Sequence, residues 1–209
     1  MALLKEKLED FEKQINENTK EEDLQILFEK LAPAFLYGGY IQVRDDYKVY
    51  IKTVEFYFHS EKPNGVHDPI VYHRDGRGLE KVPFFPLMTL HSHDSGFDIT
   101  FESKAKKYRA SALIRAYEVK FNKEYLEWNK KDKFIFHSTY KFNTQSLYLR
   151  KLLNGFSLTK DNDIQWKDEP REQSALPIKK KRQNVYQYDR VGNKIKCDRF
   201  WSFTRVEQV

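Results

Sequence analysis

The spacing of apolar residues changes at Tyr37, and that change decides the fold class. Before it, Leu4, Leu8, Phe11 and Ile15 recur at helical intervals, so the first sixteen residues read as an amphipathic helix. Thr19, followed three residues later by Glu22, has the form of a capping box. It would start a second helix carrying Leu24, Leu27, Phe28 and Leu31, limited by Pro33. After Tyr37 the residues are those of strands. Tyr40–Arg44 and Lys48–His59 are rich in β-branched and aromatic side chains, with Asp45-Asp46 as the turn between them. Further strands are expected near Met88–His93, Phe97–Ser103 and Ser111–Val119. In the last of these, Ala110, Ala112, Ile114 and Ala116 alternate with Ser111, Leu113, Arg115 and Tyr117, which gives two unlike faces.

His59–Lys81 and Asp161–Lys181 read as polar connections, Thr144–Leu153 as a short helix ended by Asn154-Gly155, and Arg199–Glu207 as a closing strand. Helices first and strands after, with no internal repeat, predict a single α+β domain: a mixed, mainly antiparallel, curved sheet with helices packed on it. Within it, residues 1–22 form an N-terminal helical extension and residues 23–209 the main body.

With 16 Phe, 13 Tyr and 3 Trp, the chain has the aromatic mass for a packed interior, which disordered chains lack. Cys197 is the single cysteine, so no internal disulfide is possible and a reducing compartment is expected. Met1 to Ile15 holds no uninterrupted apolar stretch like a signal peptide, and no run is long enough to span a bilayer. These features predict a cytoplasmic, monomeric protein with no membrane partner. The net charge of +6 permits a nucleic-acid or phosphate partner. Its basic residues cluster at Lys104–Arg109 (Lys104, Lys106, Lys107, Arg109) and at Lys179, Lys180, Lys181 and Arg182.

Glu55 stands inside the aromatic strand Val54-Glu55-Phe56-Tyr57-Phe58. A carboxylate there either faces water or is pushed into a cleft, where it can act as a general base. Five of the six histidines fall between His59 and His93. His91 and His93, with Asp94 next to them, share a strand face as two metal ligands would, and His67 and His73 could add to them. The spacing matches no established zinc motif, so metal is the lesser reading.

Taken together, Leu31–Phe58 (LAPAFLYGGYIQVRDDYKVYIKTVEFYF), Asp68–Gly76 (DPIVYHRDG), Leu113–Ala116 (LIRA), Arg190-Val191-Gly192 and Lys196–Phe203 (KCDRFWSF) resemble, in order, the motifs of the alkyladenine (3-methyladenine) DNA glycosylase family. The resemblance runs from about residue 24 to 205. It implies that residues 23–209 are a glycosylase-like domain that hydrolyses the N-glycosidic bond of a damaged purine in DNA or a related nucleoside, without cofactor or metal. Glu55 would activate the attacking water, and Arg115 would lie near that water and the phosphate. Tyr57, His73 and His93 would form the pocket for the extruded base. The lysines and arginines of the two basic runs would hold the phosphates.

The departures fall in one place. Where the family carries a tyrosine wedge before glycine, this chain has Ser95-Gly96, and Leu90–Glu102 is polar where the family is aromatic. Asp94 and Asp98 add negative charge there. A chain without a wedge is expected to favour unpaired bases over duplex. Two other classes fit the same sequence: a catalytically silent nucleic-acid-binding protein on this fold, and a metal-dependent hydrolase built on the histidines.

Overall fold

The computed structural model describes residues 3–44, 47–68, 71, 82–93, 96–121, 155–159, 163–171, 175–182, 186–188, 194–196 and 198–206. The chain starts with two helices, α1 (Leu4–Gln14) and α2 (Glu21–Tyr37). The strands follow: β1 (Gly39–Val43), β2 (Tyr47–Ser60), β3 (Leu90–His93), β4 (Gly96–Thr100), β5 (Tyr108–Phe121), β6 (Ile164–Asp168), β7 (Ile178–Lys180), β8 (Tyr186–Tyr188), β9 (Lys194–Lys196) and β10 (Ser202–Thr204).

Helix α1 forms where the apolar spacing places it and buries Leu4, Leu8 and Phe11. Its last carbonyls, orphaned as at any helix end, are collected by one lysine. Lys106 Nζ donates to the carbonyls of Glu12 at 2.5 Å, Ile15 at 2.7 Å and Lys13 at 3.2 Å. A cation suits this negative end of the helix dipole. Lys106→Met is therefore expected to cost about 1–2 kcal/mol in urea denaturation.

Helix α2 differs from expectation at both ends. Thr19 does not cap it; its hydroxyl instead accepts from the Asn16 amide at 2.9 Å. The cap lies one residue on, where the Lys20 amide donates to the Asp23 carboxylate at 2.9 Å. Pro33 sits inside the helix, which continues to Tyr37. Proline removes a single hydrogen bond, and the burial of Ala34, Phe35, Leu36 and Tyr37 beyond it outweighs that loss.

Eight strands form one open sheet in the order β3-β4-β5-β2-β1-β6, with β10 against β2 and β7 outside β10. Every pairing among the described strands is antiparallel, which bears out a single α+β domain with a mainly antiparallel sheet. Strands β8 and β9 pair with each other in a separate ribbon. Strands β6 and β7 fall within the stretch expected to be a polar connection. Ile164 and Trp166 turn inward from β6, too few for a visible period, and all three residues of β7 are exposed, so backbone pairing alone marks it. The closing strand is shorter than expected, Ser202–Thr204. The Asp45-Asp46 turn and the Thr144–Leu153 helix lie outside the described residues.

One sheet face packs on the helices. Phe28 of α2 stacks on Phe56 of β2 at 4.7 Å and meets Trp201 edge-on at 5.0 Å. Phe11 of α1 joins Phe28 at 5.6 Å and Phe101 at 5.2 Å. Helix α1 thus shares the core of the main body, and the expected boundary at residue 22 falls within the first turn of α2.

The long β2–β5 ribbon carries a double irregularity. Ile51 pairs with Tyr117, Thr53 with Ala116 and Val54 with Ile114, so Lys52 on β2 and Arg115 on β5 are both skipped. Two residues instead of one separate the core positions Ile51 and Val54, and likewise Ile114 and Tyr117. The expected alternation along β5 therefore stops at Ile114. Beyond it Tyr117, not Ala116, packs on the core.

Candidate active site

The alternation that sends Val54, Phe56 and Phe58 into the core puts Glu55, Tyr57 and His59 on the second face of β2. Leu113, Ser111 and Arg109 of β5 are their cross-strand partners. Arg115 has no such partner, because it is the skipped residue, and irregularities of this kind re-aim side chains. Its Nε donates to Glu55 Oε2 at 2.8 Å. The Tyr57 hydroxyl donates to the same oxygen at 3.0 Å. Glu55 is 2% exposed and Tyr57 fully buried, while the Arg115 side chain keeps 14% of its surface. Three residues assigned from sequence thus converge on one carboxylate oxygen.

Tyr57 is held from a second direction. The Arg182 guanidinium lies 4.5 Å from its ring centroid and 5.1 Å from that of Trp201. Arg182 Nη1 also donates to Asp68 Oδ2 at 2.5 Å and to the Phe56 carbonyl at 3.2 Å. Asp68 receives a second guanidinium, Arg199, at 3.5 Å, and both Asp68 and the Arg182 side chain are closed to solvent. Val71, Leu113, Val82 and Phe85 surround the remainder of Tyr57. One face of the ring is therefore occupied by an arginine, and what Tyr57 offers Glu55 is a hydrogen bond.

Burial, and next the negative charge of Glu55, pushes the Tyr57 phenol well above its ordinary value, with Arg182 and Arg115 acting the other way. Burial also raises Tyr117 to about 12, and raises Tyr50 and Tyr108. These folded-state values exceed the unfolded value of about 10, so the fold favours the neutral phenols. Their contribution to stability is complete below that pH and disappears as pH rises through the folded values. Urea melts are thus expected to hold steady up to about pH 9 and to weaken as pH rises from about 10 towards about 12, with tyrosinate absorbance appearing together with unfolding. Ionisation in the intact fold near the ordinary pH would contradict the burial.

His93 lies on β3 opposite Gly96. His73, Asp94 and Ser95 lie outside the described residues. His91 packs its ring on Phe85 at 4.7 Å, and the His67 ring bonds the Pro63 carbonyl at 3.0 Å. Among the described residues no three His, Cys, Asp or Glu side chains converge as metal ligands.

The basic runs divide by role. Lys104 and Lys107 are exposed on the turn before β5, and Lys180 is exposed on β7. Lys106 closes α1, Lys179 pairs with Glu29 at 2.5 Å, and Lys181 pairs with Asp198 at 2.8 Å. Arg109 is buried, bound to Glu61 at 2.9 Å and to the Val82 and Pro83 carbonyls at 2.8 Å, and stacked on Phe84 at 3.6 Å. A cavity lined by His59, Glu61, Val82, Pro83, Phe84, Lys104 and Arg109 opens beyond it.

Sequence reasoning missed the Asp68–Arg182–Trp201 support. Arg182 ends the run Lys179–Arg182, and nothing in a charge run shows which member turns inward. No protein-family model matches the chain, and no curated protein or solved structure matches it.

Proposed function

We propose that the chain hydrolyses the N-glycosidic bond of a damaged purine in DNA or a related nucleoside, with Glu55 as general base. The observation that carries this reading is the joint grip of Arg115 and Tyr57 on Glu55 Oε2, at 2.8 and 3.0 Å. It fixes the carboxylate on the sheet face away from the helices, as the orientation of a water requires. In the reaction Glu55 takes a proton as the water oxygen bonds to C1′. The C1′–N bond breaks, and its electron pair leaves with the base. An alkylated, cationic purine leaves neutral, so no metal is needed to stabilise it. Arg115, the most exposed of the three, is placed to meet developing charge or an adjacent phosphate.

A binding protein without turnover is the second reading. The 2% exposure of Glu55 favours it, since a base must reach its water. Purified protein incubated with an alkylated oligonucleotide, and separately with alkylated nucleosides, decides between them. Abasic sites or free base support hydrolysis; binding without either supports the alternative.

A further inference from the structure

On the face that carries Glu55, past the double irregularity, the sheet gathers cations. Lys48 of β2 pairs directly with Lys120 of β5. Like charges directly opposite across antiparallel strands weaken the pairing, so this pair depends on compensating partners. Lys167 of β6 pairs with Tyr40, whose ring centroid lies 4.6 Å from Lys48 Nζ. Arg171 covers Tyr50 at 3.4 Å, with Lys120 at 5.5 Å from the same ring. Two carboxylates face this group among the described residues, and each is shared. Glu169 serves Lys48 at 3.4 Å and Arg171 at 4.0 Å, and also accepts the Tyr50 hydroxyl at 3.1 Å. Glu118 serves Arg205 at 3.3 Å and Lys120 at 3.9 Å. Among the described residues, Lys48, Lys120, Lys167 and Arg171 thus meet Glu169 and Glu118, the latter shared with Arg205. The Lys48, Arg171 and Lys120 side chains keep 28%, 26% and 54% of their surface.

We propose that this patch binds the phosphodiester backbone of a single-stranded nucleic acid. Its opposed lysines, with Lys167 on β6 and the arginine over Tyr50, make a strip across β5, β2 and β6, the shape of a strand rather than of a single anion. Seven residues, roughly 23 Å of extended chain, separate Lys48 from Glu55, within reach of one short oligonucleotide. The strand's direction towards Glu55 rests on the hydrolytic reading; the binding itself does not. Phosphates arriving here would satisfy the opposed lysines and compete with Glu169 for its partners.

The test is fluorescence anisotropy with a labelled, undamaged oligothymidine on the Glu55→Gln protein, so that no turnover intervenes. Lys48→Gln/Lys120→Gln is expected to weaken binding at least ~10-fold at low salt. It should also reduce the slope of log affinity against log salt by about 1.4, the share of two phosphate contacts on a single strand. Glu169→Gln is expected to tighten binding several-fold, an effect that a purely structural glutamate would not give. Melting temperatures check that all variants are folded, which the exposure of both lysines favours. Unchanged affinity and slope in the double variant overturn the proposal, as does the absence of tightening in Glu169→Gln. Competition by inorganic phosphate equal to that of the oligonucleotide, phosphate for phosphate, also overturns it in favour of a single-anion site. Failure here leaves hydrolysis of free nucleosides untouched, and absence of turnover leaves this binding untouched.

Discussion

Glu55→Gln is expected to lower base release by about 10²–10⁴-fold while the protein stays folded. The amide matches the carboxylate in shape, and its carbonyl oxygen can still accept from the Tyr57 hydroxyl and Arg115 Nε. What it cannot do is take the proton of the attacking water. The assay is abasic-site yield from an alkylated oligonucleotide, or free base from an alkylated nucleoside, with a melting curve for each protein. A variant that keeps the full rate and the full melting temperature would remove Glu55 from the chemistry, and with it the hydrolytic proposal as stated.

Asp68→Ala is expected to destabilise the fold by about 3–5 kcal/mol in urea denaturation. Asp68 is the anion beside both Arg182 and Arg199, and the Arg182 side chain is 0% exposed. Removing it takes away the carboxylate that pairs with this buried guanidinium, which also meets the Phe56 carbonyl and the rings of Tyr57 and Trp201. The companion change separates lost charge balance from lost packing. Asp68→Ala/Arg182→Met also replaces the buried cation with an apolar side chain of similar length and is expected to recover at least half of the loss. If the double variant is as unstable as the single one, the cost lies in packing around Asp68 instead.

The parts of the fold that the sequence reveals are those where burial imposes a period. The helices around Leu4–Phe11 and Leu24–Leu31 and the strand through Val54, Phe56 and Phe58 are legible because one side of each must be apolar. Glu55 was conspicuous for the same reason, a charge in an aromatic strand. Strand β7 was not legible, since it buries no side chain and exists through its pairing with β10. The sequence points to a cap one residue early because Glu22 and Asp23 can each reach back to a preceding amide, and Thr19 closes the preceding turn instead. Lys106 and Arg182 show the limit for charged residues. Each belongs to a basic run expected to hold phosphates, yet one closes a helix and the other lies between two aromatic rings. Charge has no period, so its direction is set by partners distant in the chain.

The skipped residues Lys52 and Arg115 bear on how such a ribbon can change over time. An extra residue in one strand shifts every later cross-strand pair by one, and in this ribbon that shift would turn Phe56 and Phe58 out of the core and Glu55 into it. An extra residue in both strands restores the register on either side. The two extra residues are therefore a matched pair: with both present, the core positions on either side keep facing the helices. A lineage that lost both together would recover a regular, well-packed ribbon with its core residues still facing the helices. It would no longer have the side chain that reaches Glu55. Chain length at this point, more than the identity of any core residue, separates a ribbon that merely folds from one in which Arg115 reaches Glu55.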